Sequence, residues 1–270
     1  MERAEELGLE LMEPVDFQTI RGKGVRALMD ATVVLVGRRR LIAEAGIDPQ
    51  PLEKELVRLE REGKTTMLVA SDNTLIGVVA VADTLKEDSI QAMLELEQMG
   101  IESAILTGDS RRTAEAIARR VGISRVLAEV LPDEKVDEIK RLQGEVGVVA
   151  MVGDGINDAP ALTQANVGLA IGTGTDIAIE ASDVTLVRGD LSGVVKAVKL
   201  SRATFRKIKQ NLFWAFFYNV VMIPLAMMGL MHPVLAEMAM ATSSVTVVCN
   251  ANLLRQVDIR PSYEMVSKGA

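Results

Sequence analysis

The chain has 270 residues, 49% hydrophobic and 25% charged, which excludes a disordered chain and leaves length for one large domain or two smaller ones. A formal net charge of -7 leaves no basic excess with which to neutralise nucleic-acid phosphates. One cysteine (Cys249) and one histidine (His232) exclude a disulfide framework, Cys- or His-cluster metal sites and Ser-His-Asp chemistry.

The opening MERAEELGLELMEP is acidic and lacks the apolar core of a signal peptide. Residues 1–77 read as a separate, less regular lobe, with a GKGV turn, a VVLVG strand and a helix near Pro51–Glu62. The apolar run Gly77–Asp83 is the expected seam, and residues 78–192 form the next domain. There ESAIL (102–106) predicts a strand and RRTAEAIARRVG (111–122) an amphipathic helix closed by Gly122. PDEKVDEIKRLQG (132–144) predicts a helix opened by proline and stopped by glycine. VGVVAMVG (146–153) reads as a strand buried on both faces; Val167–Ile171 and Asp183–Val187 are further strands, with a helix over Thr175–Ala181. Strands alternating with helices predict a parallel α/β sheet with right-handed crossovers.

Residues 193–210 read as an amphipathic connecting helix, 211–256 as two transmembrane helices and 257–270 as a cytoplasmic tail. From Asn211 to Leu254 only Glu237 is charged, each arm approaches the roughly 20 residues of a membrane span, and His232-Pro233 breaks the two. Arg202, Arg206, Lys207 and Lys209 precede the first arm; Arg255, Arg260 and Lys268 follow the second, which puts both ends on the cytoplasmic side. The alternative is a buried helical hairpin of a soluble domain. Met227, Met228, Met231, Met238 and Cys249 are read as packing residues, a minority of the methionines touching an exiting metal.

The chemistry gathers at the carboxyl ends of strands, where open α/β sheets bind ligands. Thr107-Gly108-Asp109 offers a hydroxyl and backbone N–H groups just before a helix, a phosphate cradle. Lys135 is a cation near a helix start. Asp154 and Asp158, within Gly153-Asp154-Gly155-Ile156-Asn157-Asp158, are hard oxygen ligands of the kind Mg²⁺ prefers, and their like charges repel without a cation. Together they suit Mg²⁺-dependent phosphoryl transfer, where catalysis is positioning and charge neutralisation. Gly63-Lys64-Thr65 mimics a P-loop end, but Arg58 stands where the first glycine is needed. Gly22-x-Gly24 mimics a dinucleotide fingerprint without the long helix that should follow. Asp83 could pass for a phosphatase nucleophile, yet Leu85 stands where the second acid belongs, so a hinge is the better reading.

TGDS, LPDEK and MVGDGINDAPALTQANVGLAIGTGTDIAIEASD resemble the phosphorylation domain of P-type ATPases, which has the haloacid-dehalogenase-like fold. GKGV, VLVGRR and EGKTTMLVA resemble the later part of that family's nucleotide-binding domain. YN and MATSS resemble the last two membrane helices of its copper(I)-transporting subgroup, and the likeness spans residues 2–258. It implies that Thr107, Gly108, Asp109 and Lys135 act on the phosphoryl group and Asp154 and Asp158 hold Mg²⁺. It implies too that Asn157 completes the site and that Gly22 and Gly24 lie beside ATP. Tyr218 and Asn219 in the first span and Met240 and Ser244 in the second become the Cu⁺ path, a thioether being a soft ligand that suits Cu(I). Helix packing is the competing reading of those polar residues.

DKTG, SEHP, CPC, the actuator TGE and any CxxC occur nowhere in the sequence. The resemblance therefore implies the C-terminal part of a pump, whose partners are membrane lipid, copper(I) and the missing N-terminal part. Two rivals stay open: a membrane-tethered phosphatase of the same fold, and a non-catalytic partner or remnant that completes another pump.

Overall fold

Two hairpin turns organise the first lobe. Asp30-Ala31 (φ 46° and 65°) and Asp72-Asn73 (φ 43° and 63°) each place two successive residues at positive φ. That is the backbone of turns whose twist matches flanking antiparallel strands. They join β2 (Gly24–Met29) to β3 (Thr32–Gly37) and β4 (Thr65–Ser71) to β5 (Thr74–Val81). With β1 (Asp16–Ile20) these form a five-stranded antiparallel sheet in the order β1-β2-β3-β4-β5. Helices α1 (Arg39–Glu44) and α2 (Glu53–Arg61) pack on it around Leu35, Ile42, Leu56, Leu68 and Ala70. The lobe is thus more regular than its sequence suggests, and β5 runs on to Val81, through the expected seam at 77/78.

This computed structural model describes residues 8, 13–20, 22–82, 85, 86, 88–154, 156–172, 176–230 and 232–266. The hinge reading of Asp83, the Gly155 bend, the helix start at Thr175, and Met231 and Lys268 fall outside them. The chain divides into two units, Met1–Gly189 and Asp190–Ala270.

Gly24 has φ 148°, and a Cβ there would lie 2.2 Å from the Val36 carbonyl oxygen and 2.5 Å from Gly37 Cα. Backbone cannot swing aside as a flexible side chain can. Gly24→Ala is therefore expected to cost about 3 kcal/mol of stability. Gly46→Ala, at φ 80° with nothing within 4 Å, should cost only about 1 kcal/mol. Urea denaturation of both variants beside the parent chain measures the difference.

The second half of this unit carries α3 (Asp88–Gln98), β6 (Ala104–Leu106), α4 (Arg111–Val121), β7 (Arg125–Leu127), α5 (Lys135–Val146) and β8 (Ala150–Gly153). It continues through α6 (Ala159–Gln164), β9 (Val167–Ile171), α7 (Asp176–Glu180) and β10 (Val184–Leu186). The expected parallel sheet is present as two ladders, β6-β7 and β10-β9-β8. Leu106 of β6 packs against the apolar cluster of Ile139, Met151, Ala161 and Leu162, yet among the described residues no ladder joins β6 to β8.

Ser110 caps α4, accepting from the Thr113 N–H at 3.3 Å, and Gly122 closes it at φ 79°. Helix α5 does not stop at Gly144. It runs to Val146 and ends at Gly147 (φ 86°), because Arg141 pairs with Glu145 one turn on and Arg125 pairs with Glu145 from β7. Residues read as the start of the strand thus belong to the helix, and β8 is shorter than expected.

In the second unit α8 (Ser192–Met227) is one unbroken helix of 36 residues, so no joint separates the expected connecting helix from the first span. It is long and apolar enough to cross a membrane. A turn at Gly229 (φ 72°) reverses the chain into α9 (Pro233–Asn252), capped by His232 Nδ1, which accepts from the Val234 N–H at 3.3 Å. A last helix, α10 (Ser262–Val266), returns to the start of α8: Lys196 Nζ meets Glu264 at 2.7 Å and Lys199 Nζ donates to the Arg260 carbonyl at 2.7 Å.

Candidate phosphoryl-transfer site

Thr107, Lys135 and the segment 154–158 stand where the parallel strands end. Thr107 follows β6 and is anchored by its own backbone, donating to the Leu127 carbonyl at 2.9 Å and accepting from the Val130 N–H at 3.1 Å. Its hydroxyl accepts from the Asp109 N–H at 3.1 Å and lies 3.1 Å from Asp109 Oδ2. Lys135 opens α5, and its Nζ meets Asp158 Oδ1 at 2.6 Å, each side chain only 14% exposed. Asp158 closes a short 3-10 turn (Ile156–Asp158) just beyond β8. A Cβ on Gly153 would lie 2.9 Å from Asp158 Cβ, so the missing side chain is what lets Asp158 tuck beneath the strand end.

This arrangement changes the expected carboxylate pair. Asp158 is neutralised by Lys135 rather than left to repel Asp154, while Asp154 and Asn157 are exposed at the rim. Asp109 is not aimed at the same point. Its Oδ1 accepts from Thr65 Oγ1 of β4 at 3.3 Å and lies 4.0 Å from the Arg38 guanidinium, both belonging to the antiparallel lobe.

Between that lobe and α4 lies a cleft of about 430 Å³, lined by Gly22, Lys23, Arg38, Arg40, Thr65 and Asp109 among others. Gly22 (φ 71°) faces it, with Leu131 2.9 Å from where its Cβ would be; Gly24 does not line it and instead serves the backbone contact with β3. The cleft floor holds Glu60, whose side chain is 1% exposed. Arg39 donates to Glu60 at 2.5 and 3.1 Å and to Glu53 at 2.8 and 3.2 Å, and Arg112, from α4, reaches both acids at 3.3 Å. Burial by itself would raise the Glu60 carboxyl, but Arg39, Arg112 and a bond from Thr66 outweigh it and hold it below the ordinary carboxylate value. Sequence reading missed Arg112, Glu53 and Glu60 altogether; on α2 and α4 their spacing is that of any charged helix face.

In the second unit the four expected cargo residues share one hairpin. Tyr218 is half-buried beside Trp214 (ring centroids 6.3 Å apart), while Asn219, Met240 and Ser244 are exposed on the hairpin surface. Asn219 donates to the Ala215 carbonyl at 2.7 Å and Ser244 to the Met240 carbonyl at 3.2 Å, each within its own helix.

The family model for haloacid dehalogenase-like hydrolases matches residues 2–166. Copper-exporting P-type ATPases of Staphylococcus aureus strains JH9 and USA300 are 49% identical over 259 residues, which is 96% of this chain and 32% of theirs. The chain thus spans about a third of the length of the curated relatives it matches. Among solved structures, a zinc-transporting PIB-type ATPase in its E2.Pi state is 33% identical with a TM-score of 0.67, over 94% of this chain and 41% of that one. The catalytic domain of a CPx-ATPase, studied for its changes on nucleotide binding, is 26% identical with a TM-score of 0.53, over 72% and 68%. By the match across residues 2–166, by the parallel ladders and by the residues at their carboxyl ends, the chain belongs to the haloacid dehalogenase-like hydrolases, in their P-type ATPase branch.

Proposed function

We propose that this chain is the C-terminal part of an ATP-driven copper(I) export pump, a membrane protein with its soluble unit and C-terminus in the cytoplasm. The observation that carries the reading is the Lys135–Asp158 pair, held at 2.6 Å and nearly out of solvent beside the Thr107 loop. An ammonium fixed by a buried carboxylate costs no reorganisation when phosphoryl charge develops next to it. Thr107 adds a hydroxyl with an anchored backbone, and Asn157 a neutral amide at the rim. Nucleotide enters by the Gly22–Arg38 cleft, where Arg38, together with Lys23 and Arg40, which share the Glu44 carboxylate, supplies positive charge for its phosphates. The acceptor aspartate, absent with DKTG, is supplied by the missing N-terminal part, and a strand between β6 and β8 would join the two ladders into one sheet.

Asp154 is the residue that would hold Mg²⁺, an exposed hard oxygen donor at the end of β8. Bound there, the ion would neutralise phosphate charge. Among the described residues no group of three or more His, Cys, Asp or Glu could hold a metal, and Mg²⁺ is commonly held by one or two carboxylates together with waters and substrate phosphates.

Two outcomes follow for the chain by itself in detergent. Incubation with labelled ATP should leave no acid-stable phosphate, and label on any aspartate would move the acceptor into this chain. Mg²⁺ together with a phosphate mimic should raise the thermal midpoint by about 2–4 °C, Mg²⁺ alone by far less. Asp154→Ala should abolish the rise; an unchanged rise in that variant would remove Asp154 from the metal site.

A further inference from the structure

On its α9 side the seam between α8 and α9 is built mostly of small residues that specify it poorly. Half-buried positions recur on α8 at 204, 207, 211, 215, 218, 222 and 225 and on α9 at 239, 243, 246, 247 and 250, the three-and-four spacing of packed helices. On α9 these are Ala239, Ser243, Thr246, Val247 and Asn250, while the α8 face carries Ala215 among the larger Lys207, Tyr218, Met222 and Leu225. Small side chains allow close approach, but along α9 one turn of slip presents Ala, Ser or Thr in place of one another at little cost. The hydroxyls do not pin the register either. Thr242, Ser244 and Thr246 each bond back to the carbonyl four residues earlier in their own helix, at 2.7, 3.2 and 2.8 Å.

Polar bonds cross the seam at Asn250. Its Oδ1 accepts from Lys207 Nζ at 2.9 Å, and its Nδ2 donates to Asn211 Oδ1 at 2.7 Å, all three residues half-buried. A buried asparagine in a helix seam fixes register because any slip leaves its amide unpaired.

We infer that the Lys207–Asn250–Asn211 chain is a positioning clamp that brings Asn219, Met240 and Ser244 to one depth on one flank of the hairpin. The copper role of those three residues rests on the function proposed above; the clamp does not. Measured from the clamp at about 1.5 Å per residue, Asn219 lies ~12 Å along α8, while Ser244 and Met240 lie ~9 and ~15 Å along α9 and bracket it. Each follows a seam residue (Tyr218, Ser243 and Ala239) by one position. In an antiparallel pair that single step turns both helices toward the same side, and all three are exposed. Slip by one turn, about 5.4 Å, would break the bracket.

The test is disulfide formation in lipid vesicles, with the whole chain carrying Cys249→Ser. Ala215→Cys with Thr246→Cys reports the clamped register, both lying ~6 Å from the clamp; Ala215→Cys with Ser243→Cys reports slip. With Asn250 intact the first pair should form at least about tenfold faster than the second. Asn250→Leu should reduce that preference to about twofold. Asn250→Asp, which still accepts from Lys207 and from the Asn211 amide, should restore it. No preference in the parent, a preference that survives Asn250→Leu, or one lost in Asn250→Asp overturns the clamp. Quenching of Trp214 by Cu(I) in the same vesicles is read separately: a parent with the preference but no quenching sinks the copper reading and leaves the clamp standing.

Discussion

Glu60→Ala should lower the stability of the first unit by about 2–4 kcal/mol, the largest effect expected of any charged residue in the antiparallel lobe. The carboxylate is 1% exposed and takes hydrogen bonds from Arg39, Arg112 and Thr66. Its removal leaves a cavity and strips Arg112 of one of its two acids. Arg39 keeps Glu53 and both arginines reach solvent, which holds the cost below that of a fully buried orphaned charge. Because Arg112 stands on α4, the same change should loosen the grip between the lobe and the Thr107 domain. Hydrogen exchange at the start of α4 reads that loosening apart from global stability.

The sign of its pH dependence follows from the direction of the shift. The folded Glu60 carboxyl lies below its ordinary value of 4.5, so its contribution is complete above that pH and is lost as pH falls through the folded value. Glu60→Gln should flatten the acid limb of a stability profile. Glu44, Glu55, Glu62 and Glu145 are also held low by arginine or lysine partners, but they stand in solvent. Salt should erase their share and leave that of Glu60. An acid limb unchanged in Glu60→Gln at high salt would show that the network contributes nothing to folding.

What the sequence showed and hid divides along physical lines. Strand β9 and helix α4 were legible to within a residue, since a buried parallel strand is continuously apolar and Ser110 and Gly122 cap the helix by local chemistry alone. The end of α5 was misread at Gly144 because a mid-helix glycine costs only about 1 kcal/mol, which Glu145 pairing to Arg141 and Arg125 offsets. The meander of the first lobe was hidden by its half-exposed strands, although Asp72-Asn73 is a hairpin turn by composition. In the site, Lys135 and Asp158 could each be picked out by motif. That they neutralise one another depends on how α5 and β8 bring together residues 23 apart, which no spacing encodes. Likewise nothing local reveals that Asp109 turns toward Thr65 and Arg38.

The Lys135–Asp158 pair admits the sharpest test, because structural and catalytic roles separate. Lys135→Met would leave Asp158 nearly buried without a counter-charge, and Asp158→Asn would leave the ammonium in the same position. Each should cost about 3 kcal/mol of stability. The double variant should cost much less than their sum, with a coupling of about 2 kcal/mol, since no buried charge then lacks a partner. That much holds for any buried ion pair. The catalytic claim is additional. With the chain joined to an N-terminal part that carries the acceptor aspartate, Lys135→Met should slow phosphoenzyme formation by about 10²–10³-fold, the usual cost of one preorganised donor. The double variant, though restored in stability, should remain as slow. Asp158→Asn should be less impaired than Lys135→Met, because the ammonium survives and only its orientation is lost. A double variant that regained both stability and phosphorylation would reduce the pair to a fold-stabilising contact and leave Thr107 and Asp154 to carry the phosphoryl chemistry.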